Sequence, residues 1–181
     1  MTGGSAHLYN APILVLGLGN TQLGDDGLGP IMVKELAERC PYAAGLVEFA
    51  DGGTEGLDLL GSIRGRQALV VVDALASGGK PGTVSVLEGA DVLRFATGRA
   101  TTVQEGNAGE LLATAAFLGD LPDHCSVIGV QPGRLDGGVG LSEEVWRSLP
   151  IALAQAQRVV DRMLIELAEP SCAPERNRPC A

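Results

Sequence analysis

The 181-residue sequence contains few aromatic residues, few basic residues and only two histidines. Because aromatic residues make up 3% of the chain, Val, Leu, Ile and Ala must form the core. Thirteen Lys and Arg against 22 Asp and Glu leave a net charge of −9. This charge argues against binding to nucleic acid or to an anionic membrane surface, since both depend on clustered basic side chains.

The four cysteines include no CxxC pair, so with two histidines a zinc site is not expected. Cys40 and Cys125 are predicted to pack as small apolar residues, whereas Cys172 and Cys180 lie in a proline-rich tail. His124 precedes a strand, at the edge of the sheet away from the expected ligand site, and is interpreted as a surface residue. Neither GxSxG nor GxxxxGK[ST] occurs, which argues against a serine nucleophile elbow and excludes a P-loop.

No apolar run reaches the ~18–20 residues that a membrane helix needs. The first apolar run, at 11–19, follows no basic cluster and therefore lacks the start of a signal peptide. These features predict a cytoplasmic protein without a membrane partner.

Aliphatic runs alternate with helical patterns along most of the chain. This alternation predicts an α/β fold, a three-layer α/β/α sandwich in which a five-stranded, mostly parallel twisted sheet carries helices on both faces. We expect one domain over 1–169, with a flexible start at 1–11 and a disordered tail at 170–181. Strands are predicted at 12–19, 45–51, 68–75, 82–89 and 125–132, and helices at 28–40, 54–65, 107–119 and 141–169.

Three helix signals are specific enough to test. Thr54 is predicted to cap the second helix, and Ser142 stands at the start of the last one. Pro150, inside that last helix, predicts a kink or a break.

Ligands of such sheets bind beyond the carboxyl ends of the strands, where the strand order reverses. This rule points to the loops after the first three strands. Their acidic residues are Asp25, Asp26, Asp51, Glu55 and Asp73.

The glycine-rich loop after the first strand resembles a dinucleotide-binding turn only loosely. Gly24 comes too late for the GxGxxG spacing, and the two acids at the helix entrance would compete with a phosphate. Asp51 could hold a ribose hydroxyl, which keeps nucleotide binding as a minor alternative.

Asp26 and Asp73 follow strands that are neighbours in the common 2-1-3 order. Two carboxylates brought together from distant segments could bind a divalent metal, or could share a proton as an acid–base pair. A helix-end role for Asp26 and a turn role for Asp73 are the simpler interpretations of each residue alone.

Four segments, in order, resemble the hydrogenase maturation endopeptidases. They are ILVLGLGNTQLGDDGLGP (13–30), DGGTEGLDLLGSI (51–63), LVVVDAL with KPGTVSVLE (69–75 and 80–88) and VIGVQPGRLDGGVGLSEEV (127–145). The resemblance covers about residues 12–167. It implies a hydrolase, most simply a monomer, that removes the C-terminal extension of a [NiFe] hydrogenase large-subunit precursor. Nickel would be supplied by that precursor.

By this resemblance, Asp26 and Asp73 are the catalytic and metal-contacting acids. The glycine-rich turn at Gly19 and Asn20 would shape the first loop, with the Asn20 side chain bonded to the backbone. Gly52, Gly53 and Thr54 would border a shallow cleft for an extended substrate strand, beside a solvent-facing Glu55.

The sequence departs from the family pattern at one position. The family's third metal-contacting residue is a histidine, which aligns with Val103; the neighbouring polar candidates are Gln104 and Glu105. Carboxylate and carbonyl oxygens prefer harder ions than imidazole does, so such a site would bind free nickel more weakly. A non-cleaving, chaperone-like relative that only binds the precursor is therefore the main alternative.

Overall fold

The computed structural model describes residues 11–98 and 107–168. Its centre is a five-stranded sheet in the order β2-β1-β3-β5-β4. All neighbouring pairs are parallel except β4 and β5, which are antiparallel. The strands are β1 (Ile13–Leu18), β2 (Val47–Gly53), β3 (Ala68–Ala74), β4 (Val84–Glu88) and β5 (His124–Val130).

The central strands are aliphatic because helices cover both of their faces. All six residues of β1 are buried, as are the first six of β3. Alternate side chains enter two separate cores, so Ile13 and Val15 pack on one side of the sheet and Leu14 and Leu16 on the other.

Helices form the outer layers, as predicted. The helices are α1 (Leu28–Arg39), α2 (Leu60–Ile63), α3 (Ala90–Ala96), α4 (Asn107–Leu118) and α5 (Glu143–Ala168). Helices α1 and α5 contribute to the core that contains Ile13, and α2, α3 and α4 to the core that contains Leu14. The predicted three-layer fold is therefore confirmed. Within the described residues, no helix is both long and apolar enough to span a bilayer.

The structure corrects the predicted helix at 54–65. A 3₁₀ turn (Gly56–Leu59) leads into the short α2, and no side chain caps either of them. The cap predicted at Thr54 is therefore wrong. Gly56 has a φ of +56°, which favours a new turn at this point rather than a continuous helix.

Two further differences concern helices. Helix α3 was not predicted, because its seven residues between Gly89 and Thr97 are too few to show a helical period. Helix α5 begins next to Ser142, as predicted, but Pro150 does not break it. Pro150 is exposed, so the carbonyl four residues earlier can bond to water instead of to the missing N–H.

The predictions for Cys40, Cys125 and His124 agree with the structure, whereas Cys172 and Cys180, in the predicted tail at 170–181, lie outside the described residues. Cys40 and Cys125 are free and buried in the two cores. His124 is exposed at the amino end of β5, where its Nδ1 lies 3.1 Å from a carboxylate oxygen of Glu166.

Candidate functional site

The site forms at the carboxyl edge of the parallel strands, where β1 and β3 are direct neighbours. Glycines allow α1 to pack unusually close to this edge. A Cβ on Gly17 would lie 2.4 Å from the carbonyl oxygen of Gly29, and one on Gly29 would lie 2.1 Å from that of Leu18. These two glycines therefore allow the close packing of α1 against the ends of the strands.

Gly19 and Asn20 shape the first loop around Asp26. Gly19 has a φ of +121°, and a Cβ there would lie 1.8 Å from the backbone oxygen of Asp26. The backbone N–H of Asn20 donates to Asp26 Oδ2 at 2.7 Å. The Asn20 side chain accepts a hydrogen bond from the N–H of Gln22 at 2.9 Å, as predicted. Asp26 is consequently held in place while remaining partly exposed.

Asp25 has a different role from its neighbour and is completely buried. Its carboxylate accepts hydrogen bonds from the N–H groups of Gly133 and Arg134, both at 2.8 Å. It also accepts bonds from the N–H and the hydroxyl of Ser142, at 2.6 and 2.8 Å. Burial alone would raise the pKa of Asp25, but these hydrogen bonds outweigh it and hold the pKa below its ordinary value. The first acid of the pair is thus an ionised anchor that joins the loop after β1 to the loop before α5.

Asp73, at the end of β3, is 3% exposed. Burial raises the pKa of Asp73 to about 7, and the negative charge of Asp26 adds to this shift. The backbone N–H groups of Ala74 and Ala108 bond to the carboxylate and partly oppose the shift. The structure therefore places the two predicted acids close enough for the charge of Asp26 to act on Asp73. It also places the first turn of α4 against Asp73.

The second loop lies beside the first, since the N–H of Gly19 donates to the carbonyl of Gly53 at 2.9 Å. At Gly52 a Cβ would lie within 3.0 Å of leucine side chains from β1 and the following 3₁₀ turn, so this glycine permits close packing. At Gly53 the corresponding space is open, with the nearest atom at 4.0 Å. Thr54 and Glu55 are exposed. A substrate cleft along this loop stays a prediction.

Gln104 and Glu105, like Val103, fall outside the described residues. Within 11–98 and 107–168, no group of three or more His, Cys, Asp or Glu is placed to hold a metal ion. The described part of the site therefore consists of two carboxylates. Such a pair can bind a divalent cation with the help of further ligands, or can exchange a proton near neutral pH.

Two features of the site were not predicted. Adjacent acids in a loop do not reveal which one is buried, because the partners of Asp25 lie more than 100 residues away in the sequence. The N–H of Ala108 was missed as well. Its only sequence signal was that α4 begins shortly after the segment in which a third ligand was expected.

Comparisons with known proteins identify the family of the chain. A family model described as "Hydrogenase maturation protease" matches residues 30–159, which include Asp73 but begin just after Asp26. The hydrogenase expression/formation protein HupM of Azotobacter chroococcum is 38% identical over 157 residues, covering 86% of this chain and 72% of that protein. HupD of Thiocapsa roseopersicina is 40% identical over 124 residues, which cover 68% of this chain and only 56% of that protein.

A solved structure gives the same result at the level of the fold. The hydrogenase maturating endopeptidase HybD from Escherichia coli superposes with a TM-score of 0.70 at 31% identity, covering 83% of this chain and 93% of that one. On the family match and these relatives, the chain belongs to the hydrogenase maturation protease family and is a peptide-bond hydrolase by class.

Proposed function

We propose that this protein is an endopeptidase that removes the C-terminal extension of a nickel-loaded [NiFe] hydrogenase large-subunit precursor. Family membership supports the reaction class. The observation that bears most weight within the chain is that the charge of the partly exposed Asp26 acts on the buried carboxyl of Asp73. Two acids in this relation serve both recognition of a cation and movement of a proton.

Nickel is here part of the substrate, and the donor set fits a divalent cation. Burial raises the pKa of Asp73, and repulsion from the negative charge of Asp26 adds to this shift. A cation presented by the precursor would relieve the repulsion, so the pair favours a loaded precursor over an empty one. Because carboxylates are hard ligands, the protein alone would bind free nickel weakly.

We further propose that Glu105, or Gln104 beside it, supplies the third contact in place of a histidine. The support comes from α4, whose Ala108 N–H bonds to Asp73. Glu105 precedes Ala108 by three residues, which span at most about 11 Å, so the chain is short enough for the Glu105 side chain to approach the two acids. Cleavage of the nickel-loaded precursor by Glu105→Gln and by Gln104→Ala tests this role, because only the variant that lacks the third contact should lose activity.

The two acids have different tasks in the proposed reaction. Asp26, fixed by the N–H of Asn20 and partly open to solvent, contacts the nickel that the precursor carries. Asp73, whose pKa burial raises to about 7 in the protein without substrate, accepts a proton from the attacking water and returns it to the leaving amine. Polarisation of the scissile carbonyl by a metal ion is the competing chemical route.

The non-cleaving alternative rests on the absence of histidine from residues 99–106. It predicts that the wild-type protein binds the precursor and leaves its length unchanged. We propose the active protein to be a cytoplasmic monomer.

The deciding assay incubates the purified protein with precursor in nickel-loaded and nickel-free forms and follows cleavage by electrophoresis. We expect wild type to cleave only the loaded form, and Asp73→Asn to bind that form without cleaving it. Cleavage of both forms at equal rates would refute nickel-dependent recognition, and binding without cleavage by wild type would favour the alternative.

A further inference from the structure

Three apolar side chains are exposed on the two loops that Asp25 joins. Val139 is 88% exposed, Leu135 is 51% exposed and Leu23 is 39% exposed. We call these three residues the apolar rim. Scattered apolar residues on a surface need no explanation, but these belong to only two loops at one edge of the sheet.

The loops that carry the apolar rim are held firmly together. Leu23 and Gly138 form an isolated parallel bridge, in which the N–H of Gly24 donates to the carbonyl of Gly138 at 2.7 Å. The N–H of Gly138 donates to the carbonyl of Gln22 at 3.1 Å. Together with the hydrogen bonds that the buried Asp25 carboxylate accepts from the loop before α5, these bonds fix the backbone that carries the apolar rim.

The apolar rim lies next to the candidate site. Leu23 precedes Asp26 by three residues, and its carbonyl accepts the Asp26 N–H at 3.2 Å. Leu135 follows Arg134, whose carbonyl accepts the N–H of Asp25 at 2.9 Å. Any protein that brings a metal-bearing segment to Asp26 therefore approaches these residues.

We propose that the apolar rim is the docking surface for the folded body of the protein substrate and contacts an apolar patch beside its metal-bearing C-terminal segment. This inference rests on the proposed function. The occupant is assigned from continuity between the rim and Asp26, and from the support that Asp25 gives to both. A preformed surface of this kind binds with a smaller ordering cost than a flexible loop would, and its apolar side chains add affinity to the few contacts with nickel and an extended tail.

Leu135→Ser/Val139→Ser is the test variant, because both side chains are exposed and outside the hydrogen-bonded support. Phe117→Ser is the matched control. Phe117 is 89% exposed near the carboxyl end of α4, whereas the amino end of that helix contacts Asp73. Initial cleavage rates of the nickel-loaded precursor give KM and kcat for wild type and both variants. Calorimetric binding in an Asp73→Asn background, in which cleavage is expected to be lost and binding kept, gives Kd independently of cleavage.

We expect the double variant to raise KM and Kd about tenfold or more, with kcat within about twofold of wild type. Phe117→Ser should leave both constants unchanged, and thermal unfolding should show all variants folded. Unchanged KM and Kd in the double variant would overturn the docking surface, even if wild type cleaves. Wild type that binds but does not cleave would refute the proposed function. The comparison of Kd values would still show whether the apolar rim binds the precursor.

A second copy of this chain is the other possible occupant. Sedimentation of wild type and of the double variant separates the two cases. A wild-type monomer supports the assignment, whereas a wild-type dimer that the double variant dissociates would assign the rim to self-association and overturn it.

Discussion

Asp73→Asn should stabilise the fold above neutral pH while abolishing cleavage. A pKa raised from 3.8 to about 7 means that the folded protein holds a proton which the unfolded chain has released between these pH values. The wild-type free energy of unfolding therefore loses up to about 1.4 kcal/mol per pH unit across this window from this group, and about 4 kcal/mol in total. Asparagine has no charge to bury, and its carbonyl oxygen can still accept from the N–H groups of Ala74 and Ala108.

Urea unfolding of wild type and Asp73→Asn at pH 4, 6 and 8 measures this effect, since contributions from other groups cancel in the difference. We expect the stability difference to be near zero at pH 4 and to favour the variant by as much as about 4 kcal/mol at pH 8. Asp26→Asn provides a second comparison, because it removes a negative charge near Asp73 but leaves Asp73 buried. It should therefore reduce the pH dependence of the free energy of unfolding only in part. A difference that does not change with pH, or a variant less stable than wild type at pH 8, would refute the argument.

Three other substitutions separate the framework from the chemistry. Asp25→Ala should destabilise the fold by about 3 kcal/mol, because it leaves buried N–H groups unpaired. Because the pKa of Asp25 is lowered in the folded protein, its carboxylate stabilises the fold above the unfolded pKa near 4, and this contribution is lost as the pH falls below that value. Unfolding measured over a series of acidic pH values detects the loss. Gly19→Ala places a Cβ 1.8 Å from the Asp26 backbone oxygen. Urea unfolding should show that the free energy of unfolding falls by more than about 2 kcal/mol, and the variant should lose cleavage of the precursor. Retained activity would contradict the loop geometry. Arg66→Met removes a buried guanidinium from the opposite edge of the sheet and should cost about 2 kcal/mol in the same experiment, with kcat unchanged.

The sequence was sufficient for the fold because the strands that determine it are buried on both faces. Because the chain has few aromatic residues, aliphatic runs such as 68–72 must form the core, and a run this short and continuously apolar indicates a strand covered on both faces. Strand neighbours in a doubly wound sheet follow a common order, so the meeting of Asp26 with Asp73 could be predicted from residues 47 positions apart.

Local details were less predictable where tertiary contacts decide them. Thr54 has the side chain of a helix cap, but Gly56 redirects the backbone before a helix forms. Pro150 normally interrupts a helix, yet its exposed position lets solvent replace the missing bond. Asp25 looked equivalent to Asp26, and only the return of the chain at residues 133–142 distinguishes the anchor from the exposed acid.

The central claim is that Asp26 belongs to a peptidase site that acts on the nickel-loaded precursor. Intact-mass measurement of that precursor, incubated with wild type, Asp26→Asn or the control Asp123→Asn, tests it most directly. Asp123 is exposed just before β5, at the edge of the sheet away from the site. The account predicts loss of one C-terminal fragment with wild type and the control, and an unchanged mass with Asp26→Asn. An unchanged mass with wild type, or equal cleavage by Asp26→Asn, would contradict it.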